Sequence, residues 1–146
     1  RRGPSTGSAE RAPPSESAHL NDLANTWSNA RSRAGNYRSG AHFEHAIPNI
    51  PGKSLVALVV DYVPGGASPP HIHAKSAFVF AYVVSGEIES QVNDEPKRVY
   101  RAGESFYETP GSSHPVSRNA SKTQPARLLA VFVVDTHDKA LTTPVK

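Results

Sequence analysis

The feature of this chain that most restricts its fold is a series of short apolar runs separated by turns rich in glycine and proline. β-Branched and aromatic residues are frequent in these runs, which cover residues 55–62, 77–84, 87–92, 98–100, 105–108 and 128–134, with a shorter one around Val116. Such residues favour extended strands, whereas Gly and Pro end them. Several short strands at this spacing, with no internal repeat and no alternation with helices, predict an all-β fold with one antiparallel sandwich or barrel.

The chain ahead of the first run has a different composition. Residues 1–18 are rich in Ser, Pro, Gly and Arg and lack the apolar content that offsets chain entropy, so we predict a disordered tail. Apolar side chains then recur at helical spacing and predict a short N-terminal helix; they are Leu20, Leu23, Ala24 and Trp27. Residues 35–52 contain Pro48 and Pro51, which interrupt regular structure, and we expect a loop or irregular strand there.

The length of the chain suits one such barrel. With 146 residues, 37% of them apolar and 20% charged, the chain can form a single domain around one core. The predicted organisation is a disordered tail at 1–18, an N-terminal helix and irregular arm at 19–53, the barrel at 54–137, and a C-terminal tail at 138–146.

Composition excludes several classes of function. The chain has no cysteine, which rules out disulfides, thiolate ligands and a cysteine nucleophile. Its net charge of +3 arises from scattered basic residues without a dense stripe, so we expect no nucleic-acid partner. No apolar run is long enough to span a bilayer, and we expect a soluble protein with no membrane partner. The compartment stays open between the cytoplasm and, if a signal peptide was removed, a secreted or periplasmic location.

Three histidines stand next to turns in a pattern typical of a metal site. His71 and His73 follow a Gly- and Pro-rich turn, and in a strand residues i and i+2 project to the same face. His114 follows a second Gly/Pro turn, and a neighbouring strand would bring it to the same ion. Neutral imidazole is the commonest protein ligand for transition metals. The spacing therefore predicts a three-nitrogen site for one divalent transition metal ion.

Glycines stand at fixed distances from these histidines, and together they form two motifs: Gly65, His71, His73 and Gly86 in the first, and Gly103, Gly111 and His114 in the second. This pattern resembles the two motifs of the cupin family over roughly residues 54–135. Thr109 replaces the usual proline of the second motif, and Asn119 falls one residue late. The resemblance implies a cupin double-stranded β-helix, or jelly-roll barrel. Because small cupins commonly pair, it also implies a homodimer.

The first motif departs from the family at the position of its glutamate ligand, which Val79 occupies here. No carboxylate lies between His73 and Gly86, which leaves two alternatives: a site of three histidines alone, or a fourth ligand from elsewhere in the chain. Gln91 is one candidate, because a hairpin at Gly86 would pair its strand with residues 77–84. Simple counting places Gln91 opposite Phe80, which faces away from Val79, unless the register shifts by one.

Glu108 is the other candidate at the site, six residues before His114 in the strand that leads into the second turn. We expect it to act as a general acid–base group or as a partner of the metal ligands. By contrast, His42 and His45 precede Pro48 in a loop-like region, and we expect ordinary surface histidines there.

Three histidines leave an open coordination position on an ion, which can be Fe, Mn, Ni, Zn or Cu. We therefore predict a metal-dependent enzyme acting on a small organic acid, diketone or phenolic compound. Resemblance to quercetinase-like small cupins favours dioxygenase-type oxidation. Two alternatives stay open, namely redox-neutral isomerase or lyase chemistry and a non-enzymatic cupin that binds a small molecule.

Overall fold

The computed structural model describes residues 36–138 and 140–146, and it confirms the predicted all-β jelly roll. The predicted disordered tail and N-terminal helix lie outside the described residues. Within residues 36–138 and 140–146 there is no helix long and apolar enough to cross a membrane.

Eleven strands make up the described part of the chain, and all their pairings are antiparallel. They are β1 (Tyr37–Ala46), β2 (Lys53–Tyr62), β3 (His71–His73), β4 (Phe78–Ser85), β5 (Glu87–Gln91), β6 (Arg98–Arg101), β7 (Ser105–Glu108), β8 (Ser113–His114), β9 (Val116–Asn119), β10 (Ala126–Asp135) and β11 (Thr142–Pro144). One sheet has the strand order β1-β2-β10-β4-β7, and two smaller sheets have the orders β11-β3-β8 and β6-β5-β9.

The core lies between the inner faces of these sheets. Alternate residues of β4 and β10 are buried, as the two-residue period of a strand with one covered face requires. Val83 of β4 packs in one core cluster with Ile88 of β5 and Phe106 of β7. Val79 and Phe132 belong to a second cluster, which lies beside the histidines.

Two segments outside the predicted barrel are part of its sheets. The segment 35–52, predicted as a loop or irregular strand, contains the ten-residue strand β1, which pairs with β2 and has a bulge between Ala41 and Phe43. Its prolines lie in the following turn, so they leave the strand uninterrupted. The predicted C-terminal tail, 138–146, contains the buried Leu141 and β11, which pairs with β3.

The predicted hairpin between β4 and β5 does not form. β5 pairs with β6 and β9 instead, in a different sheet from β4. At Gly86, between the two strands, φ is +74°, and a Cβ atom there would lie 2.5 Å from the carbonyl oxygen of Pro125. Only glycine fits this close approach. The Gly86 turn therefore leads the chain from one sheet to the other. Gln91 pairs with Val116 of β9, and not with Phe80 of β4 as counting across a hairpin predicted.

Candidate metal centre

The structure brings together the three histidines that the sequence predicts as ligands. β3 carries His71 and His73, and β3 pairs with β8 so that His71 lies directly opposite His114. One nitrogen of each imidazole lies within 4.8 Å of those of the other two. His73 and His114 are 4% exposed, so the group sits inside the barrel.

Hydrogen-bond partners fix the orientation of the His71 and His114 rings. His71 Nδ1 lies 2.9 Å from the carbonyl oxygen of Pro69, to which an N–H can donate, and this leaves Nε2 with a free lone pair. His114 Nε2 lies 2.9 Å from Ser90 Oγ. When that nitrogen donates to Ser90, the other nitrogen of His114 is the one free to bind an ion.

Glu108 lies on β7, the edge strand of the large sheet, and its side chain reaches the three histidines. Its carboxylate oxygens lie 2.8 Å from His73 Nε2 and 3.3 Å from His114 Nδ1, and the side chain is buried. In the β4–β7 register Glu108 is the direct partner of Val79. A carboxylate thus stands beside the place where the family's first motif has its glutamate, although it comes from a different strand.

Three buried polar atoms of this cluster make no hydrogen bond of good geometry: His73 Nδ1, His73 Nε2 and Glu108 Oε2, although the last two lie only 2.8 Å apart. Leaving a buried polar group unpaired costs about 1–3 kcal/mol. Donor atoms about 2.1 Å from one ion, at octahedral or tetrahedral angles, lie about 3.0–3.4 Å from each other. The observed separations of 2.8 and 3.3 Å are close to that range. The donor set therefore fits a divalent transition metal ion.

The protonation states suit such an ion. Burial lowers the pKa of His114 to about 4, although the Glu108 carboxylate opposes the shift. Burial also lowers the pKa of His71. For Glu108, burial alone would raise the pKa, but the contacts with His73, His114 and His71 outweigh it and the pKa is lowered. At neutral pH the site therefore offers neutral imidazoles at His71 and His114 and an ionised carboxylate at Glu108, the forms that bind metals.

Gln91, the other predicted candidate, is not brought to the histidines. The side chains of β5 alternate, so that Ile88 and Ser90 are buried while Gln91 is on the other face and does not line the cavity. Ser90, one residue earlier, is the residue that reaches His114. Sequence reasoning missed it, although its spacing of two from the apolar Ile88 was a usable signal. His42 and His45 lie on β1 and are exposed.

A cavity of about 350 Å³ opens beside the cluster and is lined by His71, His73, His114 and Glu108. Most of its apolar lining comes from β2, β4 and β10, and β1, β9 and β11 contribute further residues. Tyr62, Ser68 and Ser117 contribute hydroxyl groups. This volume is at the small end of the range of small-molecule sites.

These strands, with histidines from β3 and β8 inside the barrel, define a double-stranded β-helix protein with a candidate metal centre. Residues 58–132 match the sequence profile of the family described as "Cupin domain". The chain belongs to the cupin family, as the two motifs predicted.

The chain is similar to plant and bacterial proteins of known sequence or structure. Germin-like protein subfamily 2 member 2 of Arabidopsis thaliana is 33% identical over 105 residues, which cover 69% of this chain and 46% of that protein. The chain spans less than half the length of the curated relatives it matches.

Two solved structures have similar folds. A conserved protein with a double-stranded β-helix domain from Klebsiella pneumoniae has a TM-score of 0.61 at 17% identity, covering 84% of this chain and 94% of that one. A recombinant oxalate oxidase in complex with glycolate has a TM-score of 0.56 at 26% identity, covering 80% of this chain and 58% of the other.

Proposed function

We propose that this cupin binds one divalent transition metal ion through His71, His73 and His114, with Glu108 as the fourth protein ligand, and that it uses the ion to transform a small organic substrate. The observation that carries this proposal is the convergence of three imidazoles and the Glu108 carboxylate on one side of the cavity, with His73 and Glu108 Oε2 making no hydrogen bond of good geometry. The contact of Glu108 with two imidazoles favours ligation over the acid–base role expected from its sequence position.

Oxidation of the substrate is the favoured reaction. A carboxylate added to three imidazoles suits iron and manganese, because both accept mixed nitrogen and oxygen donors. Such an ion supplies Lewis acidity and a route for electrons to O₂. The likeness to oxalate oxidase supports oxidoreductase chemistry for this chain. The protein's own residues orient the substrate, and the apolar walls exclude water from it.

Redox-neutral isomerase or lyase chemistry is the second candidate, and the Tyr62 hydroxyl is the observation in its favour. Tyr62 lines the cavity and is 3% exposed. Burial raises its pKa, so the hydroxyl keeps its proton at neutral pH and can donate it in a hydrogen bond. A reaction that moves a proton without moving electrons needs such a donor near the ion.

The chain forms a homodimer through the outer face of its large sheet. Phe78, Phe80 and Tyr82 of β4 are exposed there, and Tyr107 of β7 stacks on Phe78 at 5.9 Å between ring centroids. Contiguous exposed aromatic residues on one face are typical of an interaction surface. A two-fold dimer would bury the same patch on both copies.

Metal analysis of purified protein tests the proposed centre. Untagged protein should contain close to one transition metal ion per chain, and the His114→Ala variant should contain almost none. Iron, manganese or copper would direct assays to O₂ consumption, and zinc or nickel to isomerase and lyase substrates. Little metal in the wild-type protein, even after reconstitution with several divalent ions, would overturn the proposal.

A further inference from the structure

A group of hydroxyls forms one wall of the cavity that holds the candidate metal centre. Tyr62 Oη lies 2.8 Å from Ser117 Oγ and 3.4 Å from Ser68 Oγ. Ser68 Oγ also donates to the backbone carbonyl of Ser117, at 3.3 Å. Tyr62 and Ser117 are 3% and 4% exposed, so these hydroxyls face the cavity rather than bulk water. They can bind a neutral polar group, but they carry no charge.

The remaining walls are mainly apolar and include Leu58, Val60, Leu128, Ala130 and Phe132. No lysine or arginine is among the residues that line the cavity in the described part of the chain. The apolar walls favour a ligand with an aliphatic or aromatic body, since burying that surface removes it from water. A negative charge on the far end of such a ligand would have no cation to pair with.

The charges of the proposed centre also limit the ligand. A divalent ion, one carboxylate from Glu108 and three neutral imidazoles sum to a net charge of +1. A ligand with one negative charge brings the buried site to neutrality. A second negative charge would be buried without a partner, which is strongly unfavourable in an apolar cavity.

We propose that the cavity selects a monoanionic, mainly apolar chelating ligand, such as an enolate, a phenolate or a monocarboxylate, and discriminates against dianions, including the oxalate dianion. The Tyr62–Ser68–Ser117 hydroxyls bind a neutral hydroxyl or carbonyl group at the ligand's far end. This inference rests on the proposed metal centre and adds the class of substrate to it.

Two α-keto acids with the same chelating end test the inference, because they differ mainly at the far end. α-Ketoisocaproate ends in an apolar isopropyl group, and α-ketoglutarate ends in a second carboxylate. The protein is first loaded with Mn²⁺ or Co²⁺ and its metal content is measured; binding of each acid, and of oxalate, is then followed by calorimetry. α-Ketoisocaproate should bind at least about tenfold more tightly than either dianion, because only it leaves the buried site without a net charge.

A charge added to the hydroxyl wall provides the matched test. Ser68 is only partly buried, so Ser68→Lys has room for its longer side chain, and Ser68→Gln is the neutral control. Ser68→Lys should shift the preference towards α-ketoglutarate at least about tenfold further than Ser68→Gln does, because both variants lose the hydroxyl and only the first adds a cation.

The outcomes separate the inference from the proposed function. A protein that binds one metal ion but prefers a dianion, binds the acids equally or does not bind α-ketoisocaproate would overturn the inference alone. A protein that takes up no metal would overturn the proposed function, and the inference with it.

Discussion

Val79 and Glu108 are direct partners in the β4–β7 register, and both side chains are buried and line the same cavity. Side chains at directly opposed positions on one face of an antiparallel pair lie about 4.5–5.5 Å apart at their Cβ atoms. A carboxylate at either position can therefore reach the same small volume beside His73. In this chain the position that matches the family's glutamate holds an apolar residue, and its cross-strand partner holds the acid.

Moving the carboxylate across the register tests whether it is a ligand. Glu108→Gln keeps the shape of the side chain but removes its charge, and it should weaken metal binding by at least about tenfold, because the carboxylate is the hardest donor of the set. The double variant Val79→Glu, Glu108→Val should recover a large part of that loss. Competition with a chelator of known affinity measures both. Wild-type affinity in Glu108→Gln would show that the carboxylate is not a ligand.

Ser90 should act on the metal through His114, because it holds one nitrogen of that imidazole at 2.9 Å. Loss of such a partner weakens metal binding by about 10–100-fold without removing a ligand. Ser90→Ala should show a loss of this size, while Ser90→Thr, which keeps the hydroxyl, should retain most of the affinity. Gln91→Ala is the matched control, since Gln91 lies on the other face of β5. A loss in Gln91→Ala with none in Ser90→Ala would instead support Gln91 as the ligand expected from the sequence.

The barrel and its histidines were predictable because they depend on local patterns. The period of two in β4 and the Gly/Pro turns before His71 and His114 each act over a few residues, and the sequence displays them directly. The C-terminal strand β11 was missed because three residues are too few to show the alternation of buried and exposed positions that identifies a strand. It forms because β3 offers an unpaired edge and Leu141 finds a place in the core.

The position of Glu108 beside the histidines was harder to predict, because it depends on a pairing between strands that are distant in the sequence. Counting across the Gly86 turn assumed a hairpin, whereas the close approach of Gly86 to Pro125 directs β5 into another sheet. Glu108 pairs with Val79 only because β7 forms the edge of the large sheet next to β4. Neither relationship is encoded in a short stretch of residues.

The proposed dimer should depend on the exposed aromatic face of β4 and β7. Phe80→Asp places a charge in the centre of that face, opposite Tyr107 in the register, and should convert the dimer to a monomer in light scattering coupled to size exclusion. Val99→Asp is the matched control, because Val99 is exposed to a similar degree on β6 in a different sheet. A wild-type monomer at micromolar concentration, or equal effects of both substitutions, would contradict an interface on this face.

The metal-free protein should become less stable in mild acid, because the pKa of His114 is lower in the folded chain than in the unfolded chain. Its pKa is lowered by burial from 6.5 to about 4 in the folded state. Between these two values the unfolded chain binds the extra proton and the folded chain does not, so the free energy of unfolding falls as the pH falls from 6.5 towards 4. At about 1.4 kcal/mol per pKa unit, this residue accounts for about 3 kcal/mol of that loss.

Two neighbours act in the same direction. The pKa of His71 is lowered by burial, and that of Glu108 is lowered by the surrounding imidazoles, so protonation of either also favours the unfolded chain. Urea unfolding of chelator-treated protein at several pH values between 7 and 4 measures the slope caused by His71 and His114, to which Glu108 adds only at the acid end, because its ordinary pKa is 4.5. His114→Gln keeps a polar side chain but removes the titrating group, and its stability should change less with pH over this window. An equally steep slope in His114→Gln would mean that other groups cause the acid sensitivity.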